Sequence, residues 1–243
     1  MTVSPASSGT ATLIVAMIMI IATGLLVGVG GAALLRRLRE PVPPTAADEV
    51  TLADYRAKIS YRMLATPRFA LITGLLAAAG AAITVLTQPI AYWPAWFVFG
   101  VVAVLLAAID ARTTWLPGGL MMLGWVVTAI AALACLAEDP HRLHAAITIG
   151  SGVLVAAGGY LLLWLITGGR AIAFGDVRLM VLVGAVAGTL GWSGIYWSLL
   201  SGSVIGAVIG VLRLVSGRRG PFPYGPALVS GPYAATVLLS LLP

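Results

Sequence analysis

Eight apolar stretches dominate this chain of 243 residues and leave it few ways to fold. They run from Ala11 to Leu35, Phe69 to Leu86, Tyr92 to Ile109, Gly118 to Ala137, Ala145 to Thr167, Val177 to Leu190, Ile195 to Val215 and Ala227 to Leu242. A helix of about 20 apolar residues crosses the ~30 Å hydrocarbon core of a bilayer. With 60% hydrophobic residues, 9% charged residues and a mean hydropathy of +1.04, the chain has too little polar surface for a soluble domain of this length. The expected fold is therefore an all-α integral membrane protein, a polytopic bundle of about eight transmembrane helices with a short sixth span. The first run is too long for the apolar part of a secretory signal. No basic residue precedes it, and Arg36, Arg37 and Arg39 follow it, so it reads as a retained span. Three segments result: an N-terminal transmembrane helix over 1–35, a basic loop over 36–68 and a membrane domain over 69–243.

Basic residues orient the bundle, because Lys and Arg accumulate in cytoplasmic loops. With the N-terminus outside, the inner connections carry 13 of the 14 basic residues, and only Arg142 faces out. The net charge of +6 then reflects topology and attraction to anionic inner-leaflet lipid, so no nucleic-acid partner is implied. Within the basic loop, Leu52, Tyr55, Ile59 and Met63 recur at helical spacing opposite Arg56, Lys58 and Arg62, which predicts an amphipathic helix. Lying on the inner leaflet, packing on neighbouring loops and receiving a substrate all fit that pattern.

Asp110 and Asp176 stand apart from the other acids. Each lies at the end of a long apolar run in a loop marked by Gly or Pro, whereas Glu40, Asp48, Glu49, Asp54, Glu138 and Asp139 fall in hydrophilic connections. An ionisable group at membrane depth is expensive and points to function. In the topology above both aspartates lie on the cytoplasmic side, one ending a helix and the other beginning one. Two such carboxylates can converge on one water and share one proton, the arrangement for general acid–base hydrolysis of an amide. A helix N-terminus behind Asp176 suits a negative charge there, although which carboxylate is the base stays open. The structural alternatives are a headgroup-level carboxylate for Asp110 and a helix N-cap for Asp176. Taken together, neither alternative accounts for their common side.

The sequence around these residues is similar to a known family. Ala108-Ile109-Asp110-Ala111-Arg112-Thr113-Thr114-Trp115-Leu116-Pro117 resembles the first aspartate motif of the type IV prepilin peptidases, in which an aliphatic-Pro pair follows the Asp. Ala173-Phe174-Gly175-Asp176-Val177-Arg178-Leu179 resembles their Gly-x-Gly-Asp-x-Lys-Leu motif, and Pro221-Phe222-Pro223-Tyr224-Gly225-Pro226 resembles a late Pro-Phe-Gly-Pro segment. The order and spacing match from about Phe69 to Pro243. The resemblance implies an aspartyl endopeptidase that cuts prepilin or pilin-like precursors after a Gly, in type IV pilus assembly or protein secretion at the bacterial inner membrane. It implies Asp110 and Asp176 as catalytic, with Pro117, Gly175, Arg178, Gly225 and Pro226 supporting them.

Departures from the family pattern sharpen the expectation. Ala173 replaces the usual first Gly, Gly118 an Asn, and Arg178 a Lys whose charge it keeps with a wider, more rigid donor. A snorkelling interfacial anchor explains Arg178 equally well. Many relatives carry paired Cys-x-x-Cys zinc ligands in the loop after the first span and also methylate the cleaved product. Here Cys135 is the only cysteine, and it lies in an apolar run, so neither a structural zinc nor that methyltransferase region is expected. His141 and His144 sit in an outer loop and read as solvated residues rather than ligands. No cofactor is expected. The expected partners are the precursor substrate and the lipid bilayer. A proton- or ion-coupled transporter using the same aspartates would place them nearer the midplane, and a presenilin-like intramembrane protease would carry a Tyr-Asp pair that is missing here.

Overall fold

The computed structural model describes residues 5–41, 49–217 and 222–241, so Val42 to Pro44, Asp48, Arg218, Arg219, Pro221 and Leu242 lie outside the described residues. The described residues form helices and no strand. Helix α1 (Pro5–Leu25) continues through a π-helical turn (Leu26–Gly30) into α2 (Gly31–Leu35). Two short helices follow, α3 (Glu49–Ala57) and α4 (Tyr61–Leu64). The remainder comprises α5 (Pro67–Thr87), α6 (Trp93–Thr113), α7 (Gly118–Glu138), α8 (Arg142–Thr167), α9 (Phe174–Thr189), α10 (Gly191–Val215) and α11 (Gly225–Leu241). Six stretches among these, beginning with Thr10–Leu35, are long and apolar enough to cross a membrane, and α11 is a shorter apolar helix. The chain is an all-α, multi-pass membrane protein.

The helices differ sharply in how much of their surface they bury. In an 18-residue apolar window of Ile90–Thr113, the stretch that includes α6, 72% of residues are buried, against 17% in the corresponding windows of Arg142–Thr167 and Gly191–Val215. Helix α9 is also buried along most of its 16 residues, and α11 buries Ala227, Leu228, Val229 and Ala235. These three inner helices share one core, in which Leu106, Ile109, Leu179, Leu182, Val183 and Leu228 pack together. Outward-facing Leu71, Leu75, Leu133, Leu154 and Ile166 are exposed, as residues solvated by acyl chains should be. Hydroxyls inside the bundle are largely satisfied locally: Thr73, Thr84 and Thr148 donate to carbonyls one turn earlier. Trp96 Nε1 donates to Thr189 Oγ1 at 3.0 Å, tying α6 to α9.

Glycines bring α8 and α9 into backbone contact. A Cβ at Gly152 would lie 2.2 Å from the Gly184 carbonyl oxygen, and one at Gly188 would lie 2.5 Å from the Ile149 Cα. Close approach of this kind holds helices together where lipid removes the hydrophobic drive for association. Gly152→Ala should therefore destabilise the fold by about 1–3 kcal/mol, as overpacking does. Thermal unfolding in detergent measures this, and an unchanged midpoint would mean that the pair separates without loss. Among the glycines that recur in the first and seventh apolar runs, Gly24 and Gly28 meet α5 at Gly74 and Ala70, and Gly202 and Gly206 meet residues of the α11 region, whereas Gly210 faces open space.

Three expectations need correction. The amphipathic helix is broken, because Ser60 is extended (φ −67°, ψ 147°) between α3 and α4. Beyond the break Tyr61 and Leu64 are buried while Met63 is exposed, so the predicted stripe does not continue. Trp93 and Trp96, whose place near the end of an apolar run predicts an interfacial aromatic belt, are core residues, whereas Trp192 is exposed. Two of the acids read as merely solvated hold loops together. Glu40 pairs with Lys58, and Asp139 accepts from the Tyr92 hydroxyl and from His141 N–H. These last bonds, the Tyr92 hydroxyl foremost, hold the Asp139 carboxyl below its usual range.

Candidate active site

The three inner helices each deliver one part of a single site. Asp110 lies on α6 one turn before its end and is 5% exposed. Its Oδ2 accepts the backbone N–H of Gly225, the first residue of α11, at 2.8 Å. Asp176 is the third residue of α9 and 6% exposed, and its Oδ2 accepts the Ala173 N–H at 3.3 Å. The N-cap position belongs to Ala173, so Asp176 is not a simple cap, although it closes one half of a capping box. Both carboxylates line one cavity of about 1260 Å³.

Local chemistry explains how the two carboxylates are held. After Asp110 the chain turns through Thr114, the one non-glycine residue with positive φ (55°) among the described residues. Its N–H donates to the Asp110 carbonyl oxygen at 2.8 Å, the αL cap usually given to Gly. A β-branched residue in that conformation is strained, and such strain gathers at functional sites. Thr113 Oγ1 donates to the Ile109 and Trp115 carbonyl oxygens, at 2.9 and 3.0 Å, which sets the path of the loop. Pro117 then occupies the N-cap of α7. The turn before Asp176 is seated against this loop, since a Cβ at Gly175 would lie 3.2 Å from Leu116 Cδ1. Gly225 is tighter: a Cβ there would lie 2.8 Å from Asp110 Oδ2 and 3.1 Å from Asp110 Cβ.

The other residues singled out in the sequence have more modest places. Pro226 is the second residue of α11, where a missing N–H costs nothing. Arg178 lines the cavity with its guanidinium 4.8 Å over the Phe174 ring and makes no ion pair with Asp176 among the described residues. Cys135 is buried and free, and no cluster of three or more His, Cys, Asp or Glu among the described residues suits a metal. His141 and His144 lie beyond the far end of α7 from the cavity. The sequence reading missed Tyr160, Ser203 and Tyr224. All three line the cavity. A lone Tyr in the apolar run of α8, and a Tyr just before Gly225, were the available signals.

Residues 97–211, which include both aspartates, match the family model for the type IV leader peptidase family. Over that stretch, a little under half of its length, the chain is similar to that family. Among curated relatives, it is 35% identical over 92 residues to a prepilin leader peptidase/N-methyltransferase of Aeromonas salmonicida, a stretch of 34% of this chain and 31% of the relative. It is 28% identical over 144 residues to the protein of the same name from Pseudomonas aeruginosa, covering 47% of each chain. For the Pseudomonas putida relative the identity is 34% over 101 residues, 37% of this chain and 34% of the relative. The chain thus spans between about a third and a half of the length of these relatives. No solved structure matches it.

Proposed function

We propose that this protein is an aspartyl endopeptidase that removes the leader from prepilin or pilin-like precursors by cutting after a Gly. The observation that carries the reading is the pair of buried carboxylates, Asp110 and Asp176, set by two different inner helices into one cavity. A water between them loses a proton to the ionised carboxylate as its oxygen attacks the scissile carbonyl carbon. The protonated carboxyl gives its proton toward the substrate, the C–N bond breaks, and the new amine leaves protonated. The Gly225 and Ala173 N–H groups hold one oxygen of each carboxylate, leaving the other for water and substrate. The match of residues 97–211 to the type IV leader peptidase family supports the pilin-like substrate, and with it a role in type IV pilus assembly or secretion.

Because the segment between the first two long helices lacks cysteine, the product is expected to leave without N-methylation. Incubating the detergent-solubilised enzyme with precursors from the same genome, with S-adenosylmethionine supplied, tests both parts by mass spectrometry. The expected product has lost its leader and carries a free amine. An added methyl group would overturn the second part, and uncut precursors throughout would remove the first.

The N-terminus is placed outside a bacterial inner membrane, with the cavity opening to the cytoplasm. The excess of Arg and Lys in the corresponding loops supports this. Single cysteines at Thr114 and Ile172 should react with a membrane-impermeant reagent only from the cytoplasmic face. Labelling of the two from opposite faces would end the shared-site reading.

A further inference from the structure

Between the first two long spans, the chain folds back over the loop that follows Asp110. Glu40 Oε1 accepts the Tyr61 backbone N–H at 2.8 Å, and Glu40 Oε2 pairs with Lys58. The Lys58 side chain is only 6% exposed, and its ammonium lies 5.4 Å from the centre of the Tyr55 ring and 5.0 Å from that of Tyr61. Glu40 itself is 39% exposed, so the pair closes the outer edge of this fold-back. Tyr61 is fully buried and donates its hydroxyl to the Trp115 carbonyl oxygen at 2.9 Å. The Tyr55 ring meets the Trp115 ring edge-on at 5.3 Å. Burial, with the Glu40 charge nearby, pushes the Tyr61 phenol above its usual range, so it stays a donor at neutral pH.

These contacts reach both aspartates. The Trp115 carbonyl also accepts from Thr113, within the strained turn that follows the Asp110 helix. The next residue, Leu116, seats Gly175 and with it the turn that presents Asp176. Glu40, Lys58 and Tyr61 do not themselves line the cavity. We infer that Glu40, Lys58 and Tyr61 form a clamp that fixes the 113–116 loop and thereby sets the separation of Asp110 and Asp176. The inference rests on the aspartyl reading above, and the three are positioning residues.

The clamp should act on turnover rather than on binding, because a misplacement of about 1 Å at the reacting atoms costs on the order of 10²-fold. Tyr61→Phe removes one hydroxyl and keeps the buried ring, and it should lower kcat about tenfold with KM within about twofold. Glu40→Ala should lower kcat further. Glu40→Gln, which keeps an acceptor for the Tyr61 N–H but loses the charge, should fall between wild type and Glu40→Ala. Hydrogen–deuterium exchange of the whole protein in detergent gives a second readout that needs no substrate. In Tyr61→Phe and Glu40→Ala, exchange should rise across residues 113–117 and stay unchanged in α5 and α10. Unchanged exchange at 113–117, a rise spread evenly over the bundle, or wild-type kcat in Tyr61→Phe would each overturn the clamp. Failure of the wild type to cut any precursor would instead count against the peptidase reading, and the exchange result would then decide the clamp alone.

Discussion

Asp110→Asn and Asp176→Asn should each lower kcat by about 10²–10⁴-fold, the range that a positioned general acid or base supplies. Asn has nearly the volume of Asp, and its amide oxygen can still accept the Gly225 or Ala173 N–H that each carboxylate now receives. Both variants should therefore fold and insert, which size-exclusion chromatography in detergent would check. What they lose is the ability to take or give a proton. Since the two groups share one task, the double variant should be scarcely slower than either single one. Glu138→Gln and Asp139→Asn, at the far end of α7, should cleave as wild type. Substantial cleavage by a well-folded Asp110→Asn or Asp176→Asn would refute the aspartyl mechanism and move weight to a transport role for the same carboxylates.

Gly225→Ala should be nearly as damaging, although it adds only a methyl group. That methyl would lie 2.8 Å from Asp110 Oδ2 and 3.1 Å from both Asp110 Cβ and Cγ, too close for either partner to stay in place. Relief requires α11 to retreat or the Asp110 carboxylate to turn, and both movements stretch the 2.8 Å bond from the Gly225 N–H. We expect kcat to fall on the order of 10²-fold with KM little changed, because the displaced group reacts with substrate rather than holding it. Gly210→Ala is the matched control, since nothing lies within 4 Å of a Cβ there. Turnover of Gly225→Ala at the wild-type rate would mean that the bond does not hold the reactive geometry.

Much of this arrangement was legible in the sequence because the signals were local. An apolar run as long as a bilayer announces its own helix, so the span from Gly118 was read nearly to its observed end at Glu138. Asp110 and Asp176 were legible because a carboxylate at the end of such a run is conspicuous, and both prove buried in one cavity. What escaped was tertiary. Hydropathy cannot show that α6 and α9 are enclosed by their neighbours while α8 and α10 stay largely exposed, since lipid-facing and core positions are equally apolar. For the same reason Trp96 looked interfacial although it lies in the core, with its indole N–H bonded to Thr189. The break at Ser60 follows from no spacing rule. It arises where Glu40 draws in the Tyr61 N–H, a bond between residues 21 apart in the chain. Tyr160 was passed over because one Tyr in an apolar run carries no sign of what it will face.

The bond from Gly225 to Asp110 also bears on when the protein becomes active during its own synthesis. Asp110 is made and placed in the membrane with α6, and Asp176 follows with α9, but the N–H that holds Asp110 arrives only with α11. Until that last of the described helices docks, Asp110 has no backbone donor, and the α11 residues that pack beside α6 and α9 are absent. A chain still emerging from the ribosome, or one halted after α10, would thus hold both carboxylates without a finished centre. On the peptidase reading proposed above, cleavage would then appear only once α11 has docked.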